Sequence, residues 1–288
     1  MPDLTNPRAE RVKAVRALAG RSARLRHGLY LVEGPQGVRE LVLELPEDVV
    51  DLYVSETAAD RYPEIVAAAA RAGLPLRTAS AEVLGVMSPD AQEVLAVARP
   101  RSRMLADVLG RAPRLVAVLH QVRDPGNAGT VVRAADAAGA GAAVLTEASV
   151  DVHNPKVVRS TAGSLFHLPV VTGVALPAVV EACHAAGLLV LAADGGGEWD
   201  LDDLLDVVGD PSRAPEVPDL AAPTAWLFGN EARGLHRQDR DLADAVVRVP
   251  LHGRAESLNL ATAATVCLYA SARAQRRRAH PADGSRDS

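Results

Sequence analysis

The sequence predicts an α/β protein: a mostly parallel, helix-covered sheet in the C-terminal half, preceded by a smaller α/β domain. Three observations carry this. Short apolar runs alternate with segments of helical period along most of the chain. The strand-like runs are apolar at nearly every position, as strands buried on both faces must be. Of the 288 residues, 48% are hydrophobic but only 3% aromatic, so the cores are assembled from Ala, Val and Leu. The length points to two domains.

The first domain is expected over residues 1–100. It opens with an amphipathic helix at 11–18. Strands follow at 29–32, 50–54, 74–77 and 94–98, with helices at 38–45, 62–72 and 81–87 between them. This pattern reads as a small α/β sandwich. Residues 101–114 carry arginine and proline and read as a linker with one short helix. The second domain is expected over 115–279. Its strands are predicted at 115–119, 142–145, 188–192, 224–228 and 246–249, and its helices at 129–138, 157–165, 176–186, 238–243 and 258–274. Strands separated by helices imply parallel pairing. The stretch 195–223 interrupts the rhythm and reads as a surface insertion, and 280–288 reads as a disordered tail.

Net charge is −5, which argues against a nucleic-acid partner until its distribution is considered. Residues 194–223 hold nine acidic side chains against Arg213, a net −8, which leaves +3 on the rest. The first 26 residues hold seven basic groups against Asp3 and Glu10. A basic face binds phosphates whatever the total charge; the plainer reading of the same arginines is a solvated helix face. Two distant cysteines, Cys183 and Cys267, fit neither a disulfide framework nor a zinc site and point to a reducing cytoplasm. No signal-peptide pattern opens the chain, and no stretch is long and apolar enough to span a bilayer. His120, His153, His167 and His236 lack ligand spacing, so no metal site is expected.

Three polar islands stand where strand patterns give way to helix patterns, the edge at which α/β proteins bind ligands. They are Asn127 to Arg133, Phe228 to Leu235, and Val249-Pro250-Leu251 with Ser257-Leu258-Asn259. Asn127 suits a helix N-cap, and Ser257 suits the N-cap of the last helix. Arg133 lies about one and a half turns into its helix, where a buried cation needs a partner. Glu231 and Arg233 arrive as a strand stops, and Trp226 and Phe228 read as core. A meeting of Ser257, Asn259, Glu231 and Arg133 gives a polar cluster able to hold a hydroxyl and a phosphate.

These islands, in this order, closely resemble the three motifs of the SpoU (TrmH) family of RNA 2'-O-ribose methyltransferases, within the SPOUT superfamily. The first hundred residues resemble that family's substrate-binding domain, similar to ribosomal protein L30e, with Leu31-Val32-Glu33-Gly34-Pro35 in place of its Val-Glu-Gly turn. The segment Lys156 to Ser164 is similar to the branch acting on ribosomal RNA. The resemblance implies a deep trefoil knot in the C-terminal domain, a feature no sequence pattern displays. It implies S-adenosylmethionine as cofactor, bound by Gly229, Val249 and Leu258. An adenine ring favours such dry walls with backbone hydrogen bonds, and the chain has no Gly-x-Gly-x-x-Gly between a strand and a helix. It implies a homodimer acting on RNA, most readily 23S ribosomal RNA.

By the same resemblance Arg133 is catalytic, as the base; guanidinium chemistry equally allows it to clamp the phosphate beside the target ribose. A guanidinium is effectively always protonated, which makes the base role chemically awkward. Asn127 orients Arg133 or shapes the site, Glu231 anchors the polar network, and Ser257 and Asn259 position the arginine or the ribose. Two other readings stay open at this point: methylation of tRNA, and a non-catalytic RNA-binding protein on the same fold.

Overall fold

Local rules place several helix starts. Ser55 and Ser80 accept the N–H three residues on and cap the helices that follow them, and Asp124 and Asn154 cap the helices that open at Pro125 and Pro155. The computed structural model describes residues 2–279, and the expected tail at 280–288 lies outside the described residues. In chain order the elements are α1 (Glu10–Ala17), α2 (Arg21–His27), β1 (Tyr30–Glu33), α3 (Pro35–Glu44), β2 (Val49–Val54), α4 (Glu56–Arg61), α5 (Pro63–Arg71), β3 (Leu76–Thr78), α6 (Ala81–Met87) and β4 (Val94–Ala98). There follow α7 (Leu105–Leu109), β5 (Leu115–Leu119), α8 (Pro125–Ala138), β6 (Ala142–Thr146), α9 (Pro155–Ser160), α10 (Ser164–His167), β7 (Val170–Val174), α11 (Leu176–Ala185) and β8 (Leu189–Ala193). The last are β9 (Trp199–Asp200), α12 (Leu201–Asp206), β10 (Thr224–Phe228), α13 (Arg237–Arg240), β11 (Ala245–Arg248) and α14 (Leu260–Ala279).

The chain divides into two compact units. One runs to Ser102 and also takes in Asp151–His167; the other comprises Arg103–Val150 and the described chain after His167. In the first unit four strands lie in the order β1-β4-β2-β3. β4 is antiparallel to both neighbours, and β2 pairs parallel with β3. Successive residues of β1 enter opposite cores: Val32 joins Val38, Leu41 and Ile65, while Leu31 joins Val12, Tyr53 and Leu84. The period of two is that of a strand buried on both faces.

The segment expected as one helix over 157–165 of the second alternation is two short helices, α9 and α10, in the first unit. Val158 and Phe166 bury themselves in its core, and Arg159 pairs with the buried Glu33. The chain turns between the helices at Ala162 and Gly163, both at positive φ. A side chain at Gly163 would stand 2.5 Å from Glu40 Cγ, so only glycine fits there.

In the second unit seven strands, all pairing in parallel, lie in the order β7-β6-β5-β10-β8-β11-β9. On one face Val116, Val118, Ala225 and Leu227 pack against α7 and α11 through Val108, Leu109, Val179 and Cys183. On the other face α8 and α14 pack together and over β5 and β10. Trp226 is fully buried, and its indole N–H donates to Ser271 of α14 at 2.9 Å, as a buried indole must. The short helix expected in the linker is α7, packed into this unit.

The acidic stretch is more than a surface insertion. β9 pairs with β11 at the sheet edge, and α12 packs on α14. Arg248 of β11 donates to the carbonyls of Gly197 and Glu198, each at 3.1 Å, and pairs with Asp200 at 3.1 Å. The stretch covers a sheet edge that otherwise offers unpaired backbone groups.

Candidate active site

The site is built where β5 and β10 end. Asp124, not Asn127, caps α8: its carboxylate accepts the Asn127 N–H at 2.8 Å, and Pro125 takes the first helical position. The Asp-Pro pair outranks Asn127 because proline at that position needs no donor of its own and suits a helix start. With the capping task taken, the Asn127 amide is free to reach across. Its Oδ1 accepts from Asn259 Nδ2 at 2.9 Å, and its Nδ2 donates to Glu231 Oε1 at 3.4 Å. Glu231 also accepts the backbone N–H groups of Asp124 and Arg123, at 3.1 and 3.3 Å. At the head of α14 the cap is Asn259, not Ser257. Asn259 Oδ1 accepts the N–H groups of Ala261 and Thr262 at 2.9 and 3.3 Å, because the helix begins only at Leu260. A chain of hydrogen bonds, Glu231 to Asn127 to Asn259, thus joins the end of β10 to the heads of α8 and α14.

Asn230 completes the wiring. Its Nδ2 donates to the carbonyl of Gln121 at 2.8 Å, its Oδ1 accepts from the N–H groups of Ala232 and Arg233, and its backbone exchanges two hydrogen bonds with Gly234. The turn after β10 is therefore pinned to the turn after β5.

Beside this network lies a cavity of about 230 Å³. Gly229, Val249 and Leu258 all line it, together with Glu231, Ser257 and the acidic residues Asp194 and Glu256. Gly229 is required by the packing: a Cβ there would stand 2.5 Å from the backbone of Gly234. Val247, Val249, Leu251 and Leu258 make an apolar wall, and Asp194 and Glu256 add negative charge. An apolar wall with anionic groups nearby suits an adenine ring carrying a cationic tail.

Arg133 does not join the cluster. It is exposed on α8, and among the described residues it has neither a hydrogen-bond nor an ion-pair partner. The expectation of a buried, partnered cation fails because α8 turns Ala128, Val131, Val132 and Ala135 inward and leaves position 133 outside. The structure therefore brings together Asn127, Glu231 and Asn259 by hydrogen bonds, and sets Ser257 in the cavity wall with Glu231. It leaves Arg133 bonded to none of them. Asp124, Asn230, Asp194 and Glu256 are not among the site residues the sequence predicts. Only Asp124 had a local signal, an Asx residue directly before a helix-opening proline. Among the described residues no group of three or more His, Cys, Asp and Glu could hold a metal ion, and no helix is long and apolar enough to cross a membrane.

Comparison with known proteins places the chain among relatives of one family. Residues 114–269 match the SpoU rRNA Methylase family. Over 93% of its length the chain is 31% identical to a 23S rRNA (guanosine(2553)-2'-O)-methyltransferase of Bacillus subtilis, covering 98% of that protein. It is 37% identical over 66% of its length to a 23S rRNA (uridine(2479)-2'-O)-methyltransferase of Streptomyces viridochromogenes, covering 63% of it. Among solved structures it is similar to an AdoMet-bound rRNA methyltransferase from Sinorhizobium meliloti, with TM-score 0.77, 27% identity and coverage of 96% of this chain and 97% of the other. It is also similar to the SpoU methyltransferase AviRb from Streptomyces viridochromogenes in complex with AdoMet, with TM-score 0.74, 31% identity and coverage of 93% and 98%.

Proposed function

The chain belongs to the SpoU rRNA methylase family, and we propose that it methylates a ribose 2'-hydroxyl of 23S ribosomal RNA with S-adenosylmethionine as donor. One observation carries this reading: the cavity lined by Gly229, Val249 and Leu258 adjoins the Glu231–Asn127–Asn259 network at the strand ends, inside the segment that matches the family. Relatives named for 23S rRNA favour ribosomal RNA over tRNA. Their different target nucleotides leave the base to experiment.

The residues present fit the cofactor. Gly229, Val249 and Leu258 would hold the adenosine, and Asp194 and Glu256 suit its cationic part. When bound, it supplies a methyl group already activated on a sulfonium. The chain's own task is to hold the 2'-hydroxyl in line and to offset the charge that develops on its oxygen. Arg133 suits that task. Its guanidinium is uncommitted, and it can clamp the phosphate beside the ribose and stabilise the 2'-oxygen without losing a proton. Glu231, Asn127 and Asn259 hold the two helix heads in register, and Ser257 faces the cavity where the ribose would enter.

The first unit acts as the L30e-like RNA-binding domain in this reading, and the last strands with α14 form the trefoil knot. Support for a homodimer comes from apolar side chains left in water: Val266 and Tyr269 on α14 are 40% and 49% exposed, and Leu251 and Leu258 are 41% and 37% exposed. Sedimentation at working concentration tests this, and a lone monomer would contradict it. The cytoplasm is the matching compartment. Mapping ribose methylation by mass spectrometry on ribosomal RNA from cells with and without this protein tests the function. One nucleotide losing its methyl group is the expected result; an unchanged map overturns the reading.

A further inference from the structure

The turn after β10 walls a second cavity, of about 250 Å³, that shares Asn230, Glu231 and Gly234 with the first. His120, Arg123, Arg233 and His236 also line it. Among the described residues the Arg123 and Arg233 guanidinium groups have no hydrogen-bond or ion-pair partner. The wall's one carboxylate, Glu231, already accepts hydrogen bonds from two backbone N–H groups and from Asn127. His120 is buried, with Nδ1 3.0 Å from Thr146 Oγ1. Among the described residues its Nε2 has no hydrogen-bond partner, since Asp239 Oδ2 stands 3.4 Å away without the alignment of a hydrogen bond. Burial holds this imidazole below its usual pKa, against the pull of Asp239, and the wall's permanent positive charge is that of the two arginines. The wall is also preformed. Asn230 and Gly234 exchange backbone hydrogen bonds at 3.0 and 2.8 Å, and Asn230 is tied to Gln121.

We propose that this cavity binds a backbone phosphate of the RNA strand flanking the methylated ribose, gripped by Arg123 and Arg233. Two guanidinium forks with polar hydrogen-bonding neighbours match phosphate geometry. The neighbouring cavity, with its acidic residues Asp194 and Glu256, suits a cationic ligand instead. The shared turn sets the two ligands side by side, as transfer from cofactor to ribose demands. This assignment rests on the methyltransferase reading above and adds a second phosphate-binding point to that of Arg133.

The test compares wild type with the R123A/R233A double variant in binding in-vitro-transcribed 23S rRNA over a range of potassium chloride. Removing the cations that neutralise one phosphate lowers the slope of log affinity against log salt by about 1. The expected result is a shallower slope, RNA affinity weakened roughly tenfold near physiological salt, S-adenosylmethionine affinity unchanged, and KM for RNA raised more than kcat is lowered. The R123K/R233K variant should keep most of the slope as point charges. Unchanged RNA affinity and slope in the alanine variant, with an active wild type, overturn the subsite alone. A fall in cofactor affinity overturns it too, assigning the cavity to the cofactor's carboxylate. A wild type that binds RNA without methylating it fails the functional reading itself, and the subsite with it.

Discussion

Two helices of this chain begin alike and end in opposite roles. α8 starts at Asp124-Pro125 and α9 at Asn154-Pro155, each with an Asx side chain capping the next N–H groups and proline in the first position. Each then presents an arginine. Arg159 is held by Glu33, only 4% exposed, and by Asp90 at 2.9 Å. Arg133 is held by nothing among the described residues. An arginine whose donors are spent on internal carboxylates is committed to holding structure; one with all five donors in water remains available to a ligand. The local grammar is shared, and the surroundings set the role.

The strongest way to break this contrast is to remove Arg133. R133A should lower methyl transfer by about 10²–10³-fold, the loss typical for a donor that meets charge in a transition state. Cofactor affinity should stay within a few-fold and unfolding should shift by under about 0.5 kcal/mol. Near-normal turnover in a methyl-transfer assay would end its catalytic assignment. R133K should also fail if two parallel hydrogen bonds to phosphate matter.

G229A comes next. Its methyl group collides with Gly234, so the 230–234 turn must move and the wall of the 230 Å³ cavity with it. Overpacking of about 1–3 kcal/mol corresponds to a loss of S-adenosylmethionine affinity of roughly ten- to a hundredfold, measured by calorimetry. Unchanged affinity would show that this wall does not touch the cofactor.

R159A is the mirror of R133A. It leaves Glu33 buried with Ser88 as its remaining side-chain partner, which should cost about 2 kcal/mol of stability. The turnover of the folded fraction should change little. Urea unfolding followed alongside activity separates the two arginines; a variant that lost turnover but not stability would erase the contrast. E231Q should be milder still. It keeps one acceptor where the carboxylate offered two, a loss of about 1 kcal/mol that should appear as a several-fold fall in turnover.

The gentlest probe is pH. Burial, against the pull of Asp151, holds the His153 imidazole below its usual pKa, and burial does the same to His120 against Asp239. The folded state then binds fewer protons than the unfolded one. This stability is fully present above about pH 6.5 and is lost as pH falls through the lowered folded values. At Asp151 burial pushes the carboxyl up, but hydrogen bonds from Arg24 and the His153 N–H outweigh it and bring it below the usual range. That contribution is lost only below about pH 4. Urea midpoints should therefore fall between about pH 7.5 and 5.5, and less so in H153Q, where His153 no longer titrates beside Tyr30. An equal fall in H153Q would remove His153 as a cause.

Much of the fold was legible from order and period. The strands at 94–98, 115–119 and 224–228 and the helix at 81–87 have the bounds the sequence predicts, because each is an apolar or amphipathic run with clear breaks at both ends. The edge strands β7 and β9 were not legible: β7 is exposed at Thr172 and Gly173, and β9 is two residues inside an acidic stretch. The caps Asp124 and Asn259 obey local rules, but the same rules favour Asn127 and Ser257 on sequence alone.

The α/β class, the order of most strands and helices, and the three motifs that mark the family can all be read along the chain. These depend on interactions within a few residues and on burial period. Which groups meet is set by the folded packing. Asn127 finds Asn259 132 residues away, Glu231 reaches the Asp124 N–H across 107, and Glu33 captures Arg159 across 126. Hydrogen bonds and ion pairs act over about 3 Å, whereas a sequence pattern records only neighbours along the chain. Whether a polar side chain is spent or free is therefore settled by packing.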